Sequence, residues 1–441
     1  MPRNLAELTP QTAWLPLEAA PAFDRRMAAH LFRRAGFCAS RRELDEAVAA
    51  GLTATVKRLL TAGERSSAFD EEMRKFAEVA LAAGNPQSLA GWWLHRLRHT
   101  PAPLVEKMTL FWHGHFATSA AKVRDARLLY DQNELFRRHA LGNFRPLVRG
   151  IARDPAMLLY LDSATNRKNH PNENFAREVM ELFCLGIGRY SERDIRELAR
   201  CFTGWEILHG KFTFNTYQHD YGTKSLLGQS GPFDGDDGLR VILEQPACAE
   251  FLCGKLVRYF VTDEDLPAEW IAPLAQQFRE SDLAIAPVLE TIFTSRLFYS
   301  ERAIGQKVRG PVELGVGLLR ALEINTNMIQ LAERLRELGQ LVFFPPNVKG
   351  WPGGKNWIDS SALLGRANLV RALADNIPPR SAGGPASAEQ VDQLAELLLA
   401  VAPPAEVRAG LIAQLDQAGG KPAALRQAVS VLGALPEFQL S

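Results

Sequence analysis

The stretch NENFAREVMELFCLGIGRYSERDIRELARCFTGW, from Asn172 to Trp205, decides the fold class of this chain. Its apolar residues from Phe175 to Phe183 recur with helical spacing, which predicts one buried helix face. Two glycines then permit a helix end, and Ser191 can cap a second helix that runs to the Thr-Gly-Trp sequence. The stretch also carries six carboxylates and five arginines, which is more charge than two core helices need. It therefore predicts a helical protein with a polar functional region at this place.

Helical spacing recurs along most of the remaining chain. Strand-like alternation is convincing only in 211–227, where Phe212 and Phe214 face one side before a polar turn. The prolines and glycines of 343–358 (FFPPNVKGWPGGKNWI) forbid a regular element, so we predict an irregular loop there and name it the Trp loop. We predict a mostly α fold, a multi-helical orthogonal bundle with a small β-hairpin near 211–227.

Composition also predicts how the chain is divided. Residues 1–376 are expected to form the main helical domain, into which the hairpin 211–227 and the Trp loop 343–358 are inserted. The sequence IPPRSAGGPASA at 377–388 has the composition of a linker. Residues 389–441 are rich in alanine and leucine, and we expect them to form a C-terminal helical segment that packs on the main domain.

Size and charge exclude several classes of protein. The 441 residues are 46% hydrophobic and 23% charged with a net charge of +1, which is ordinary for a globular protein and disfavours a nucleic-acid partner. No apolar run approaches the ~18 to 20 residues of a membrane span. The first residues show no signal peptide, and the five cysteines include no zinc spacing. We therefore expect a cytoplasmic protein with buried free thiols.

The sequence FWHGHFATS resembles a metal motif because of His113 and His115. On a helix, residues i and i+2 point roughly 200° apart, so both imidazoles could share an ion only if the helix broke at Gly114. One hypothesis makes them ligands of a divalent metal; the other makes His115 a buried, hydrogen-bonded core residue. His95 and His99 have the better i, i+4 spacing, but no carboxylate accompanies them, so we predict no site there.

The charged residues of the opening stretch fall into two rows. Glu173, Arg177 and Glu181 are spaced at i, i+4 and i+8, while Asn174, Glu178 and Glu181 form a second polar row. One interpretation is an exposed ladder of ion pairs, each worth about 0.3 to 0.5 kcal/mol. The other is a buried polar network that lines a cleft, with Glu178 or Glu181 as a base or a ligand.

Two further places carry candidate side chains. His219 and Asp220 lie in a turn with Lys224, where a histidine beside an aspartate is either a solvated turn or a general base presented by a loop. In the Trp loop, Trp351 and Trp357 either stack on a ligand ring or fold inward. No phosphate-binding loop, dinucleotide fingerprint, HExxH or GxSxG sequence occurs, which disfavours nucleotide and serine-hydrolase chemistry.

Several segments together resemble a large bacterial family known as domain of unknown function 1800. They are PLVEKMTLFWHGHFATS (103–119), the stretch 172–205, the turn 218–224, IGQKVRGPVEL (304–314) and FPPNVKGWPGGKNWI (344–358). The resemblance covers nearly the whole chain and implies a largely helical fold without an assigned cofactor. It also implies a gene neighbour similar to secreted sulfatases and alkaline phosphatases, and many exported relatives. Because the family motifs keep the charged helix and the two histidines together, the resemblance favours a shared polar cleft.

The first functional hypothesis is a hydrolase-like enzyme that uses acid–base or metal-assisted chemistry. Glu178 and Glu181 would be the base or a ligand. His219 would be the proton shuttle, and Asp220 would orient it. The cofactor, if the chemistry is metal-assisted, would be a divalent metal.

The remaining predicted residues belong to substrate binding and to the alternatives. Arg177 and Lys224 would hold an anionic group of the substrate. The alternative function is a non-catalytic binding or maturation partner of the neighbouring sulfatase- or phosphatase-like protein, with which this chain could be exported. A weaker alternative is carbohydrate binding through Trp351 and Trp357.

Overall fold

A computed structural model describes residues 8–17, 23–378, 386–418 and 421–441 of the chain. These residues are mostly helical with two small antiparallel sheets, which confirms the predicted fold class. The α-helices are α1 (Arg25–Ala35), α2 (Arg41–Ala50), α3 (Leu52–Thr61), α4 (Ser67–Ala82), α5 (Pro86–His99), α6 (Pro103–His115), α7 (Ala126–Arg138), α8 (Phe144–Ala152), α9 (Pro155–Tyr160), α10 (Glu173–Glu178), α11 (Glu192–Cys201), α12 (Gly235–Leu243), α13 (Pro246–Phe260), α14 (Ala268–Glu280), α15 (Ile285–Thr294), α16 (Pro311–Ala321), α17 (Met328–Glu337), α18 (Ser360–Ala374), α19 (Ser387–Leu398), α20 (Ala405–Ala418), α21 (Pro422–Ala434) and α22 (Pro436–Gln439).

Two hydrophobic cores organise the helices, and α6 contributes to both. Leu104, Met108 and Trp112 of α6 belong to the first core, which also includes α1–α3 and α8–α15. Leu110 of the same helix belongs to the second core, with α4, α5 and α16–α21. A helix that is buried on nearly all sides must satisfy its polar groups within the protein. The two histidines at the end of α6 are therefore placed in the middle of the molecule.

The polar residues of α6 show how that requirement is met. Glu106 is fully buried, and its two oxygens accept hydrogen bonds from Arg96 at 2.5 Å, from Arg137 at 2.6 and 3.1 Å, and from the Trp93 indole at 2.9 Å. These partners hold the pKa of Glu106 at about 2 although burial opposes ionisation. The neighbouring Lys107 is paired with a carboxylate of α16. Helices α5, α6 and α7 are thereby joined by charge as well as by apolar contacts.

The strands form two hairpins rather than one. They are β1 (Trp205–Leu208) paired with β2 (Lys211–Phe214), and β3 (Lys224–Leu226) paired with β4 (Gln229–Gly231). The alternating residues that predicted a strand in 211–227 form β2. The strand that pairs with β2 is β1, which precedes residue 211. His209 and Gly210 both have positive φ, 51° and 73°, which is the requirement of a two-residue type I′ turn. Such a turn fixes β1 and β2 as neighbours and leaves His219 outside both hairpins.

The C-terminal helices pack on the second core. Helix α18 contacts α21, and α19 contacts both α1 and α16. Of the predicted linker 377–388, residues 379–385 lie outside the described part of the chain, and α19 begins at Ser387. The division into a main domain 1–376 and a segment 389–441 stays a prediction.

Two sequence features have simple structural outcomes. All five cysteines are buried and free. Within the described ranges, no helix combines the length and the apolar character that crossing a membrane requires.

Candidate functional site

His113 of α6 is a buried anchor for the Trp loop. Its Nε2 accepts a hydrogen bond from the backbone N–H of Phe343 at 2.9 Å. The rings of Trp93 and Trp351 lie 5.2 and 5.5 Å from its imidazole. Burial lowers the pKa of His113 to about 3, so the imidazole is neutral and can accept this hydrogen bond at physiological pH. The contact explains why a histidine stands here: it holds the start of the loop against α6.

His115 is used on both of its nitrogens. Its Nε2 lies 3.0 Å from the carbonyl oxygen of Phe183, and its Nδ1 lies 3.0 Å from the ammonium group of Lys255. An ammonium can only donate and a carbonyl can only accept, so Nε2 carries the proton and Nδ1 accepts. Burial and the nearby Lys255 charge lower the pKa of His115, which keeps this neutral form. The interpretation of His115 as a hydrogen-bonded core residue describes this arrangement.

His113 and His115 therefore do not form the shared metal site that the sequence predicted for them. The physical reason is that α6 stays helical through Gly114, so the two side chains point to different partners. In the described ranges no group of three or more histidine, cysteine, aspartate or glutamate side chains is placed to hold a metal ion.

The helix that follows Asn172 changes its geometry in the middle. It is α-helical over Glu173–Glu178 and becomes a π-helix over Val179–Cys184, where the N–H of Leu185 donates to the carbonyl of Met180 at 2.9 Å. Lys255 donates to the freed carbonyl of Leu182 at 3.1 Å, next to the bond that His115 makes to the adjacent carbonyl. π-Helical turns are rare in proteins, and those that occur often lie at functional sites. Here two side chains from α6 and α13 stabilise it.

Glu178 and Glu181 lie at this change of geometry. Glu181 accepts a hydrogen bond from the Tyr190 hydroxyl at 3.0 Å. Glu178 has no hydrogen bond or ion pair to another described residue. Its pKa is raised by partial burial and by the charge of Glu181, and Lys349 of the Trp loop opposes that rise. The two predicted catalytic carboxylates are therefore neighbours, and one of them is available to a ligand.

Arg177 belongs to an exposed ladder rather than to the carboxylate pair. Its guanidinium donates to both oxygens of Glu192 at 2.9 and 2.8 Å and to Glu173 at 3.3 Å. Glu181, the third predicted member of the ladder, is instead bonded to Tyr190. Periodicity placed Arg177 beside Glu173 correctly, but it could not show that Glu192 of α11 occupies the same guanidinium.

The Trp loop approaches α6 closely. A Cβ on Gly350 would lie 2.2 Å from the carbonyl oxygen of Gly114, so only glycine fits there, and its φ of 77° also favours glycine. Trp351 is partly exposed beside His113. Trp357 is 8% exposed, and its ring lies against Gly339. Of the two predicted ring platforms, Trp351 can meet a ligand, whereas Trp357 is folded inward.

The Thr-Gly-Trp sequence positions His219. The His219 ring donates from Nδ1 to the carbonyl of Thr203 at 2.8 Å, and the Thr203 hydroxyl accepts the N–H of Asp220 at 2.8 Å. A Cβ on Gly204 would lie 2.5 Å from the carbonyl of Asn215, so this turn also needs glycine. His219 is 3% exposed, and its Nε2 has no partner among the described residues.

Asp220 does not orient His219, contrary to the prediction. Its two oxygens accept hydrogen bonds from Arg200 at 2.7 Å and from the N–H of Gly222 at 2.8 Å, and these bonds lower its pKa against the effect of burial. Lys224 is fully buried and donates to the carbonyl of Asp220. Adjacent residues in an extended turn point to opposite sides, which is why the pair separates. In this structure Lys224 and Asp220 fasten the turn to α11.

Hydrogen bonds join three of the four predicted segments, and the fourth, the His219 turn, has other partners. The end of α6 contacts the Trp loop through His113 and the π-helix through His115, and the charge of Lys349 in the Trp loop acts on Glu178. The His219 turn contacts α11 and the segment near Lys168, whose N–H donates to Gln218 at 2.9 Å. No hydrogen bond or ion pair among the described residues joins His219 to Glu178. We name the junction of the first three segments the carboxylate site.

Sequence reasoning missed three residues of this site: Lys255, Tyr190 and Lys349. Lys349 and Tyr190 lie inside the segments that carry the family resemblance, so their position was a usable signal. Lys255 lies in α13, in CAEFLCGKLV, where only a charge between apolar residues marks it. A lone charge on an apolar helix face needs a buried partner, and the carbonyl of Leu182 and the His115 ring supply it.

The fold and the site define a mostly helical protein in which two neighbouring carboxylates, Glu178 and Glu181, lie where α10 becomes a π-helix. The chain belongs to the family described as Protein of unknown function (DUF1800), whose model matches residues 30–440. No curated protein matches the chain, and no solved structure matches it either.

Proposed function

We propose that this chain is a hydrolase-like enzyme that works by acid–base chemistry at the carboxylate site. The observation that carries the proposal is the Glu178 carboxylate, which lies partly buried beside Glu181 without a hydrogen-bond partner in the described chain. Glu106, a structural carboxylate of this protein, has hydrogen bonds to both of its oxygens. An unpaired carboxylate whose pKa is raised beside a second, hydrogen-bonded carboxylate is the usual arrangement of a general acid with its partner base.

The two carboxylates would have different roles. Glu178, with its raised pKa, is the group that keeps a proton to give to a leaving group. Burial and Glu181 raise the pKa of Tyr190 to about 12, so its hydroxyl stays protonated and donates to Glu181. That hydrogen bond fixes the position of Glu181, which would activate a water molecule. A divalent metal stays an untested alternative, because none of these roles requires one.

The substrate-binding roles move to the Trp loop. Arg177 and Lys224 already have partners, Glu192 and the carbonyl of Asp220. The charges of Lys349 and Arg177 both oppose the rise in the pKa of Glu178, and because Glu192 already pairs with Arg177, we propose that Lys349 holds an anionic or strongly polar group of the substrate. Trp351 would form the apolar wall beside it.

The test is a panel of nitrophenyl esters, phosphates, sulfates and glycosides, assayed with the wild type and with Glu178→Gln. We expect turnover of one class and a loss of about 10²- to 10⁴-fold in the variant, the range of a single acid–base group. Glu173→Gln, on the same helix but in the exposed ladder, is the matched control and should keep the wild-type rate. Equal rates for Glu178→Gln and the wild type would contradict the proposal.

A second candidate function is the binding or maturation partner of a sulfatase- or phosphatase-like protein. The observation that favours it is a patch of exposed apolar side chains around the first hairpin, Leu208, Phe214, Tyr217 and Tyr221, which are 39 to 85% exposed. Exposed aromatic clusters are typical of protein interfaces. Co-purification with the neighbouring gene product, and its loss in Tyr217→Ser/Tyr221→Ser, is the expected result. A chain that stays monomeric beside that product would contradict it.

Two other predictions remain proposals. Carbohydrate binding would depend on Trp351, because Trp357 is 8% exposed. The compartment is the second: we propose the cytoplasm, with export together with the partner as the alternative. Fractionation of cells that produce the full chain distinguishes the two.

A further inference from the structure

A groove of about 400 Å³ lies away from the carboxylate site, where α2 and α3 meet the C-terminal ends of α5 and α16. Four arginines and three glutamates line it, so its formal charge is 4 − 3 = +1. The arginines are Arg42, Arg58, Arg98 and Arg320. The volume is within the range of sites that bind small molecules, about 300 to 1,000 Å³. The question is which of these charges already have partners.

Two of the glutamates are committed to the protein. Glu43 accepts the N–H of Ser40 at 2.7 Å as part of the α2 capping box and lies 3.2 Å from Arg320. Glu46 lies between Arg42 and Arg58 at 3.9 and 3.8 Å. Each carboxylate is therefore neutralised by arginine on its own side of the groove.

The third glutamate acts on Arg98 through its charge but forms no ion pair with it. Glu323 follows the end of α16 with a left-handed φ of 54°, and it is exposed. It makes no ion pair within 4 Å with Arg98 or with another described residue. Its backbone position, where glycine is usual, keeps the side chain at the rim.

Burial lowers the pKa of Arg98 and the charges of Glu323 and Glu43 oppose that larger effect, but neither carboxylate forms an ion pair with it. The Nε of Arg98 donates to the carbonyl of Ile324 at 3.1 Å, and the described chain supplies no carboxylate within ion-pair distance. The guanidinium of Arg320, by contrast, donates hydrogen bonds to the carbonyls of Cys38, Arg98 and Thr100 and to the carboxylate of Glu43. The terminal nitrogens of Arg98 are thus free to form the paired hydrogen bonds that guanidinium makes with an oxyanion.

The pKa of His99 is sensitive to the charges that line the groove. It lies beside Arg98 at the end of α5, and its imidazole packs on His95 with ring centroids 4.5 Å apart. Partial burial and the charges of His95, Arg98 and Arg320 together lower the pKa of His99 to about 4. An anion bound at Arg98 would reverse part of that effect, because it would favour the imidazolium.

We propose that this groove binds a small phosphate or carboxylate anion, with Arg98 as the residue that holds the oxyanion. Leu59 and Pro103 line the same groove and would contact the apolar part of the ligand. The proposal does not depend on the carboxylate site, because none of the groove residues belongs to it.

The experiment is an NMR titration of His99 in the full chain, with and without inorganic phosphate. We expect phosphate to raise the pKa of His99 by about 1 unit, the scale of one charged neighbour at short range. Half-saturation should occur at or below about 1 mM. Arg98→Met should raise the pKa of His99 without phosphate and abolish the response to it. Arg193→Met, an exposed arginine on α11, is the control and should respond as the wild type does.

A parallel titration with succinate separates the two possible sources of the oxyanion. Saturation by phosphate at the lower concentration assigns a phosphate ligand, and the reverse assigns a carboxylate ligand. A pKa of His99 that ignores both anions, or an equal response in Arg98→Met, would overturn the proposal.

Discussion

Glu106 on α6 and Glu178 at the start of the π-helix are two glutamates in opposite environments. Glu106 is fully buried, and two arginines and an indole satisfy both of its oxygens, so its pKa falls to about 2. Glu178 is only partly buried, yet its pKa is raised by that burial and by the charge of Glu181, and no described group donates a hydrogen bond to offset them. The degree of burial alone therefore does not set the pKa of these residues; the hydrogen-bond donors that oppose burial also count.

The comparison separates residues that hold the fold from those that are free to act. His113, His115, Asp220 and Lys224 all have the character of Glu106, since each is occupied by a partner in the protein. Glu178 and the Nε2 of His219 are the exceptions among the predicted residues. We expect substitutions of the first group to change stability and substitutions of the second group to change function.

The largest effect is expected for Glu106→Gln. The variant removes the buried carboxylate that Arg96 and Arg137 share and leaves them only their outer partners, Asp70 and Glu134, which should lower the free energy of unfolding by about 3 to 5 kcal/mol. The pKa of Glu106 is depressed from its ordinary value of 4.5 to about 2. The wild type therefore holds this stabilisation above pH 4.5 and loses it as the pH falls toward 2, a slope that the variant should lack. Urea unfolding at several pH values measures both.

Glu134→Gln is the control for that experiment. Glu134 pairs with the outer nitrogen of the same Arg137 at 2.5 Å, but its side chain is 32% exposed. Its loss should cost at most about 1 kcal/mol, as at other exposed ion pairs. Similar losses for the two variants would mean that Glu106 is not the centre of the network.

Gly350→Ala should have the second largest effect. The new Cβ would meet the carbonyl of Gly114 at 2.2 Å and would stand at a φ of 77°. Strain and overpacking together should lower the free energy of unfolding by about 2 to 4 kcal/mol. Gly353→Ala, in the same loop at a φ of 68° with nothing within 4 Å, keeps the strain without the clash and should lose about half as much. Equal melting temperatures for the two variants would contradict the close approach of the Trp loop to α6.

Lys255→Met tests the support of the π-helix. It leaves the Nδ1 of His115 and the carbonyl of Leu182 without a donor, although it also removes a partly buried charge. We expect a loss of about 1 to 2 kcal/mol in thermal or urea unfolding. Lys57→Met, an exposed lysine on α3, is the control and should change little.

The same variant has a distinct dependence on pH. Burial lowers the pKa of Lys255 from 10.5 to about 8, so between these values the unfolded chain binds more protons than the folded one. The stability of the wild type should therefore rise relative to Lys255→Met as the pH increases from 8 to 10.5. A fall over that window would show that the charged ammonium, rather than the hydrogen bonds, stabilises the π-helix.

Local patterns predicted what local forces decide. The apolar stripe from Phe175 to Phe183 is buried, and Ser191 with Asp194 forms the expected capping box. The ion pair of Glu173 with Arg177 also follows from i, i+4 spacing. These features depend on residues within one or two turns, so the sequence contains their cause.

The rest of the site depends on contacts that are distant along the chain. The π-helix is stabilised by His115 and Lys255, which lie 68 and 73 positions from the carbonyls they contact. His219 is held by the backbone of Thr203 rather than by its neighbour Asp220. No periodicity encodes such partners, because backbone carbonyls are present at every position and only the fold selects one of them. The sequence therefore indicated the segments, while the hydrogen-bond partners of His115, His219 and Asp220 come from the fold.

The smallest effect on stability is expected for Glu178→Gln, and this prediction tests the comparison most directly. The pKa of Glu178 is raised, so its charge costs stability once the pH exceeds its ordinary value of 4.5. Replacing it with glutamine removes that cost and no hydrogen bond, so the free energy of unfolding at pH 7 should change by no more than about 0.5 kcal/mol, or increase slightly. The stability of the wild type should fall relative to the variant as the pH rises above 4.5. If the variant instead loses several kcal/mol, as we expect for Glu106→Gln, then Glu178 has a structural partner and the distinction between the two glutamates fails. If stability is kept while turnover is lost, the free carboxylate is there for the substrate and not for the fold.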